Sequence, residues 1–594
     1  MTEHRRGWRP VVDTPGDAWD LETDVVVVGS GGSGLVAALM ALVAGAEVTV
    51  LEKGDTLGGT TAKSGFGTWV PNNHHMQALK IVDEREAALR YMARTARPVS
   101  YRPNDPTLGL PEWEYELLAA FYDHGAAAFA SLEELGVLST RRVADFPDDH
   151  ADLAENEVSY GRYSVAWTAA GTPSDGRQVV DSLAQEIDRR GGRLLTSHTV
   201  VSAVAADDGG LRGVLVDAPG RSLAVRARRA VVFACGGFGH NGDMRLSYLK
   251  GPVRAGCGAV TNEGDFVPIA QGLGAALSNM AESWTAPVVL ERSLAGDPAF
   301  RSTFGIVGDS MLCVNRYGVR AMNEKANYFD IVAPMLLWDG SRCEYPNAPM
   351  FVVWDERNAA LFGGTQIDAG LMPAVDVEEP HVLRGETLDD LAAALEQRLE
   401  LLADAIGAVS LAADFGAVLT ATMQRFNEFA RVGYDGDFRR GETTSERHKH
   451  SLARIQALTG SGFGQAAAAD EGGAGSPEAE NQPDFANAAV DGNPFPNSTM
   501  FPLSDEGPYF ATILAPGVID TKGGPRTNAN GQVLDYSSEP IPRLYAVGNC
   551  AASPTAQGSW AAGGTLGPMV TFAWLAGQHA ASGAHAAGGD RVFV

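Results

Sequence analysis

Near the start of the chain, three glycines come directly after a run of residues typical of a buried strand. Val25–Val28 is a run of β-branched residues, and Gly29, Gly31 and Gly34 then give the spacing G-x-G-x-x-G. In such a motif the first glycine permits a tight turn, the second lets a pyrophosphate approach the backbone, and the third lets helix and strand pack closely. Free N–H groups at the start of the next helix bind phosphate oxygens. The spacing therefore predicts a dinucleotide site.

The elements after these glycines support the same chemistry. A predicted helix at 35–44 and a strand at 47–51 lead to Glu52, where a carboxylate can accept hydrogen bonds from an adenosine ribose. The block 54–67 is rich in Gly, Ser and Thr and can lie along a long cofactor, and a second Gly-rich helix start at 563–568 can face a flavin ring. Together the blocks predict non-covalent FAD rather than NAD. The predicted cofactor-binding residues are Gly29, Ser30, Gly31, Gly32, Ser33, Gly34, Glu52, Lys53, Gly59, Thr60, Thr61, Ser64, Gly65, Gly67, Val201, Ala234, Gly236, Asp265, Gly548, Asn549 and Leu566.

The length, composition and charge of the chain limit the classes of protein to which it can belong. A chain of 594 residues with 45% hydrophobic residues has material for about two to four domains. Its net charge of −27 disfavours nucleic acid and anionic membranes as partners. The five cysteines form no C-x-x-C, so no metal site is predicted, and a reducing, cytoplasmic location is expected. The apolar stretch 25–51 is long enough to span a bilayer, but its glycines assign it to the dinucleotide fold, and we expect no secretory signal and no transmembrane segment.

Several blocks carry a family resemblance. ACGGFGHN, NEKANY, DFRRGE, DTKGG, VGNCAAS and GGTLGP stand in this order along the chain. With the glycine motif they resemble the 3-ketosteroid Δ1-dehydrogenases of the fumarate reductase/succinate dehydrogenase flavoprotein superfamily. The resemblance implies an α/β FAD-binding Rossmann-like domain built from residues 20–283 and 500–594, with an inserted α+β substrate (cap) domain at 284–499. Helical spacing at 388–458 agrees with this insert, and the composition of 459–498 predicts a surface loop.

The resemblance also implies a reaction, the FAD-dependent desaturation of a cyclic ketone beside its carbonyl. Tyr328 in the NEKANY block is the implied base for the α-proton, and hydride from the β-carbon passes to flavin N5. An unperturbed tyrosine has a pKa near ~10, so a catalytic tyrosinate needs donors or a positive field nearby. Ser559 stands where the family has the tyrosine that polarises the carbonyl. The accompanying backbone N–H falls at Gly563 or Gly564, with Gly564 assigned to catalysis and Gly563 to substrate binding.

Other positions depart from the family. After Phe-Pro-Asp, where ketosteroid enzymes often carry a tyrosine, the chain has Asp149 and His150, and we predict that His150 contacts the substrate and is a candidate proton relay. Trp113 and Trp560 are predicted as apolar walls of the substrate pocket. These departures leave open whether the substrate is a steroid or a smaller cyclohexanone-type ketone. The electron acceptor is expected to be an external quinone-like molecule or oxygen.

Two further hypotheses compete with a ketone desaturase. A fumarate reductase-like enzyme needs arginines for a dicarboxylate, but residues 545–580 contain no Arg and no Lys, and Asp520 stands where that branch has a histidine. A non-catalytic flavoprotein would have no cavity over the flavin and Tyr328 turned away from it. We therefore expect a small, apolar ketone as the substrate.

Overall fold

The computed structural model describes residues 10–12, 19–144, 146–168, 171–296, 302–365, 370–459 and 492–583. Most of the surface loop predicted at 459–498 lies outside the described residues. In chain order the strands are β1 (Val11–Val12), β2 (Leu21–Val28), β3 (Val48–Leu51), β4 (Thr68–Trp69), β5 (Thr140–Arg142), β6 (Tyr163–Ala166), β7 (Arg193–Leu195), β8 (Thr199–Ala205), β9 (Leu211–Ala218), β10 (Arg221–Phe233), β11 (Arg254–Ala255), β12 (Leu277–Ser278), β13 (Ser283–Val289), β14 (Met311–Val314), β15 (Met350–Asp355), β16 (Val382–Gly385), β17 (Tyr509–Thr521), β18 (Gly524–Pro525), β19 (Gln532–Leu534) and β20 (Pro540–Ala546). The α-helices are α1 (Gly32–Val43), α2 (His74–Ala78), α3 (Arg85–Ala96), α4 (Glu112–Glu134), α5 (Gly176–Arg189), α6 (Gly242–Tyr248), α7 (Phe266–Gly272), α8 (Leu290–Leu294), α9 (Tyr328–Val332), α10 (Glu356–Phe362), α11 (Leu388–Ile406), α12 (Phe415–Val432), α13 (Thr444–Thr459) and α14 (Leu566–Ser582).

The larger sheet carries the predicted dinucleotide motif. Its central strands β20, β10, β2, β3 and β7 are paired in parallel, and β8 and β9 extend the sheet by antiparallel pairing. The β-branched residues of β2 are buried on both faces, as expected for a parallel strand covered by helices. Helix α1 packs against α14, so both ends of the chain meet at this sheet.

A second, mixed sheet lies in the middle of the chain. Its long strand β17 pairs with β11, β13, β15 and β16, and β14 adds to β15. The boundary predicted at residue 500 therefore precedes a strand that belongs to this second sheet. The chain returns to the first sheet through β20.

The helical pattern predicted at 388–458 is confirmed as α11, α12 and α13. Leu391, Leu395 and Leu399 form the buried stripe of α11, and a Thr387–Asp390 capping box starts that helix. Within the described part of the chain, no helix is long and apolar enough to cross a membrane, including the region around α1.

Candidate active site

The glycine turn between β2 and α1 has the geometry that the motif requires. Gly29 has φ of +101°, and a Cβ there would lie 2.5 Å from the Ala234 carbonyl oxygen. A Cβ on Gly34 would lie 2.0 Å from the Gly29 carbonyl oxygen, so only glycine fits at either position. Gly31 differs, because a Cβ there meets no protein atom within 4 Å and projects into open space. The turn thus leaves room for a ligand at the start of α1.

Glu52 lies at the end of β3, beside this turn. Its Oε2 accepts hydrogen bonds from Ser30 N at 2.8 Å and Ser30 Oγ at 2.6 Å, and its Oε1 accepts from Gly54 N at 2.7 Å. These three donors fix a buried carboxylate at the edge of the groove. The predicted ribose acid is therefore held in place by the phosphate-binding turn itself.

A groove of about 790 Å³ begins at this turn. Its open glycine cradle and its buried carboxylate fit FAD, for which Gly31 is the predicted pyrophosphate contact. A second groove of about 430 Å³ adjoins it through Asn549 and contains Gly548 and Gly564. The predicted residues that line the first groove are Gly29, Ser30, Gly31, Ser33, Glu52, Lys53, Gly59, Thr60, Thr61, Ala234, Gly236, Asp265 and Asn549.

Some predicted cofactor residues support the groove rather than line it. The Gly32 N–H is bonded to Thr61 Oγ1, and a Cβ on Gly67 would lie 2.5 Å from the Tyr163 hydroxyl. In β8, Thr199 and Val200 line the groove, whereas the predicted Val201 does not. Val201 lies where the pairing of β8 with β9 shifts in register. Four more predicted residues do not line either groove. These are Gly34, Ser64, Gly65 and Leu566.

The sequence interpretation missed other lining residues, although Asp520 and Cys235 lie in blocks that carried the resemblance. Asp520 of DTKGG is the clearest case, since it accepts hydrogen bonds from Asn262 Nδ2 at 2.8 Å and Asn549 Nδ2 at 3.1 Å. Burial raises the pKa of the Asp520 carboxyl to about 6. Further lining residues that were not predicted are Thr199, Val200, Cys235, Thr261, Asn262, Phe266 and Met569.

Tyr328, the predicted base, is the first residue of α9. Asn327 caps this helix by accepting from Phe329 N and Asp330 N at 3.0 Å each, and the Tyr328 ring lies edge-on to Phe304. Burial, and then the nearby carboxylate of Asp149, raise the pKa of Tyr328 above its ordinary value. No positively charged group is among these influences on the pKa, although the sequence led us to expect one. The side chain of Tyr328 is therefore a neutral phenol.

Asp149 is the centre of a charged cluster beside Tyr328. Its carboxylate accepts from Lys449 Nζ at 2.7 Å and from Ser559 Oγ at 3.2 Å, and both Asp149 and Ser559 are buried. The Ser559 hydroxyl thus donates a hydrogen bond to a carboxylate in this structure. The cluster joins three segments that are far apart in sequence.

His150, predicted to contact substrate, lies next to the same cluster. Its Nε2 is 3.7 Å from Asp330 Oδ2, on the helix that Tyr328 begins. Burial raises the pKa of Asp330, which the charge of His150 opposes. His150 therefore lies beside the helix that Tyr328 begins, and its role as a proton relay stays a prediction.

The two glycines predicted to bind the ketone oxygen have different environments. The Gly564 N–H donates to the Ala561 carbonyl at 3.0 Å, within a tight turn. Gly563 has φ of +83°, and its carbonyl accepts from Trp69 N at 3.1 Å. Because the Gly564 N–H is engaged, Gly563 is the better candidate for the backbone donor.

The two tryptophans predicted as pocket walls lie elsewhere. Trp560 is fully buried, its ring is 5.4 Å from Trp69 and 5.5 Å from Phe121, and its Nε1 donates to the Met92 carbonyl. We correct its assignment to the hydrophobic core, because the ring gains more by packing between aromatic rings than by facing a polar groove. Trp113 is partly buried on α4 and its ring packs against the Arg526 guanidinium.

A buried lysine that the sequence interpretation did not use lies between these parts. Lys522 Nζ donates to the Gly558 carbonyl at 2.5 Å and sits 4.1 Å from the Trp284 ring centroid and 4.3 Å from that of Phe329. Trp284 in turn donates to Asn549 Oδ1 in the FAD groove at 3.2 Å. Lys522 therefore touches the loop of Ser559, the helix of Tyr328 and the wall of the cofactor site.

The charge state of Lys522 is set by its surroundings. Burial lowers its pKa to about 7, against the opposing effect of the Glu282 and Asp330 carboxylates. Among the described residues, no carboxylate lies within 4.0 Å of its ammonium. Tyr328 itself does not line either groove, and Lys522 contacts the rings of both Trp284 and Phe329, the residue after Tyr328.

Comparisons with known proteins agree with this site. The family model described as FAD binding domain matches residues 24–566. The chain is 30% identical to the 4-oxocyclohexanecarboxylate 2-dehydrogenase of Sinomonas cyclohexanicum, over 96% of this chain and 94% of that protein. It is 29% identical to a 3-oxosteroid 1-dehydrogenase of Mycobacterium tuberculosis, over 94% of this chain and 98% of that protein.

The fold is also found in a solved structure. The 3-ketosteroid Δ1-dehydrogenase of Sterolibacterium denitrificans, in complex with 1,4-androstadiene-3,17-dione, superposes with a TM-score of 0.75 at 22% identity, covering 94% of this chain and 99% of that one. This likeness shows that the two chains share one fold. The chain belongs to the FAD binding domain family and is an FAD-dependent oxidoreductase that acts on CH–CH groups.

Proposed function

We propose that the protein desaturates a cyclic ketone at the α,β-position, with Tyr328 as the residue that takes the α-proton. The observation that carries this proposal is the convergence of three distant segments at Tyr328: Asp149 acts on the pKa of Tyr328 and accepts a hydrogen bond from Ser559. FAD, when bound, accepts the hydride from the β-carbon and with it two electrons. The substrate thus loses one proton and one hydride and gains a double bond.

The chain's own residues handle the proton. The Tyr328 oxygen must lose its phenolic proton before it can accept one from the α-carbon, because a neutral phenol is a poor base. Asp149, Tyr163 and Cys257 are the titratable groups that act on it, and Asp330, which faces His150, lies on the same helix. Asp149 makes the tyrosinate rarer and, once formed, a stronger base.

The carbonyl must be polarised as negative charge develops on its oxygen. In this proposal Ser559 and a backbone N–H at Gly563 donate to that oxygen, and Ser559 turns from Asp149 to the substrate to do so. Lys449 stays paired with Asp149 at 2.7 Å, so the carboxylate keeps a partner when Ser559 leaves it. The reaction then needs no residue that the described structure lacks.

A second candidate is a small cyclohexanone-type ketone that bears a carboxylate. The observation that favours it is Lys522, a buried ammonium with no carboxylate within ion-pair distance among the described residues. A relative of this chain is named for 4-oxocyclohexanecarboxylate. A single lysine is too little for a dicarboxylate clamp, and the lining of neither groove contains an arginine, so fumarate chemistry is less well supported.

The domain organisation belongs to the same proposal. We assign residues 20–283 and 500–594 to a Rossmann-like FAD domain and 284–499 to an α+β cap over the flavin. Strand β17 then ties the two together, because it follows residue 500 and pairs with strands of the cap. The expected electron acceptor is an external quinone-like molecule or oxygen.

The test is anaerobic bleaching of bound FAD by a series of ketones. We expect 4-oxocyclohexanecarboxylate or a 3-ketosteroid to bleach the flavin and to yield the corresponding enone by mass spectrometry. If no cyclic ketone in the series reduces the flavin of the parent protein, the proposed function is wrong.

A further inference from the structure

Two adjacent histidines and a glutamate meet on the side of the fold formed by α2, the end of α4 and β5. His74 and His75 open α2, and Glu133 lies in the last turn of α4. One ligand atom from each of the three side chains lies within 4.8 Å of the others. His74 Nε2 is 3.1 Å from Glu133 Oε2, and the two imidazole rings have centroids 3.9 Å apart.

A threonine holds two of these side chains in place. Thr140 donates both its N–H at 2.8 Å and its hydroxyl at 2.6 Å to Glu133 Oε1. Its hydroxyl oxygen also lies 2.9 Å from His75 Nε2. Because Oε1 is engaged twice, Oε2 is the carboxylate oxygen that remains directed at His74. Hydrogen bonds of this kind orient metal ligands in known sites.

His74 Nε2 faces Glu133 Oε2 at 3.1 Å, but this contact lacks the alignment of a hydrogen bond. Both ring nitrogens of His74 are buried, and neither makes a hydrogen bond of acceptable geometry within the described part of the chain. An ion beside His74 Nε2 would supply a partner for this nitrogen.

We propose that His74, His75 and Glu133 form a binding site for a divalent transition-metal ion of the zinc class. Metal–ligand bonds of about 2.0–2.1 Å in a tetrahedral site put the ligand atoms about 3.3 Å apart, close to the separation of His74 Nε2 and Glu133 Oε2. Two imidazoles and one carboxylate suit zinc rather than calcium or magnesium. Water completes the coordination, since His74 and Glu133 are 21% and 26% exposed.

The site is structural in this proposal. It would join α2, α4 and the small sheet of β4, β6 and β5, and it involves none of the residues assigned to ketone chemistry. The positive charge of Arg142, which acts on His75, opposes cation binding. We therefore expect one ion of moderate affinity and a gain in thermal stability when it binds.

The test uses the full-length holoprotein without an affinity tag, stripped with a chelator. Zn²⁺ is titrated by calorimetry and Co²⁺ by its visible absorption, and Tm is followed with and without Zn²⁺. We expect one equivalent to bind to the parent protein. His74→Ala and Glu133→Gln should each weaken binding by at least about tenfold and abolish the Zn²⁺-dependent rise in Tm.

Two variants make the test specific. Glu133→Gln can still accept from Thr140, so its fold is expected to survive, as bound FAD absorbance will report. His124→Ala, on the same helix α4 but outside the cluster, should bind Zn²⁺ like the parent. The proposal is overturned if the parent binds no Zn²⁺, or if His74→Ala and Glu133→Gln bind it as tightly as His124→Ala does.

Discussion

Ser559 Oγ donates to a carboxylate oxygen of Asp149 at 3.2 Å, and this contact joins two positions that are 410 residues apart. Asp149 stands where related ketosteroid enzymes often carry a tyrosine, and Ser559 stands where they carry another. Both aromatic hydroxyls are thus replaced by a hydrogen-bonded pair that Lys449 neutralises. Under the proposed function, this pair takes the place of two aromatic hydroxyls near the ketone oxygen.

The first prediction concerns Ser559. Replacing it with alanine removes the hydroxyl proposed to polarise the ketone, and losing such a donor costs about 100-fold in turnover. Stopped-flow flavin reduction by a reactive ketone measures this directly. Ser559→Thr keeps the hydroxyl and should retain most of the rate. Equal rates for Ser559→Ala and the parent would mean that the carbonyl is polarised by backbone alone.

The second prediction concerns the pH dependence set by Asp149. Because burial and Asp149 raise the pKa of Tyr328, the tyrosinate fraction and the rate of flavin reduction should rise as pH increases through the alkaline range. Asp149→Asn removes one of the two main causes of the raised pKa. The rate of flavin reduction by this variant should therefore rise at lower pH than in the parent.

A matched control tests whether this shift is specific. Asp152 lies on the same segment and accepts from Thr444 at the start of α13, but it is not among the groups that affect Tyr328. Asp152→Asn should therefore keep the profile of the parent. If the rate of flavin reduction by Asp149→Asn rises at the same pH as in the parent, or at higher pH, Asp149 does not raise the pKa of Tyr328.

The third prediction concerns Lys522. Its pKa of about 7 lies below the ordinary value, so the ammonium is present below that pH and is lost as pH rises through it. If it binds a substrate carboxylate, KM for 4-oxocyclohexanecarboxylate should rise about tenfold or more above pH 7, whereas KM for cyclohexanone should stay flat.

Variants of Lys522 separate charge from packing. Lys522→Met should erase the preference for the acid over the neutral ketone, and Lys522→Arg should keep the preference to higher pH. Steady-state kinetics with both ketones provide the measurement. A preference that survives in Lys522→Met would assign Lys522 to holding the Gly558 loop alone.

The fourth prediction concerns FAD retention. A methyl group on Gly31 meets no protein atom within 4 Å but projects into the groove, so Gly31→Ala should fold normally and lose bound FAD. Gly34→Ala puts a Cβ 2.0 Å from the Gly29 carbonyl oxygen and should lower Tm as well. Circular dichroism and the absorbance of bound flavin distinguish the two outcomes. If Gly31→Ala keeps the full absorbance of bound flavin, FAD does not lie against Gly31.

The fold was largely predictable because its signals are local. The valine run, the glycine spacing and the acid at Glu52 predict β2, α1 and β3, and the structure places them within a few residues of the expected bounds. The leucine spacing around α11 is equally direct. In each case a short segment determines its own conformation and its buried face.

The details of the site were less predictable, because they depend on contacts between distant segments. The pairing of Asp149 with Lys449 and Ser559 spans hundreds of residues, and no local pattern indicates it. A tryptophan beside a glycine loop suggests a pocket wall, and only packing against Trp69 shows Trp560 to be core. The burial of Lys522 likewise depends on packing between distant segments, which no local pattern indicates.

The central claim is that Tyr328 takes the α-proton, and anaerobic single-turnover reduction of FAD by Tyr328→Phe tests it most directly. The variant should bind FAD as the parent does, because Tyr328 does not line the cofactor groove. Its flavin should be reduced by a reactive cyclic ketone at least about 1,000-fold more slowly, since the ring stays and only the proton acceptor is lost. Reduction at the rate of the parent would show that Tyr328 is not the base.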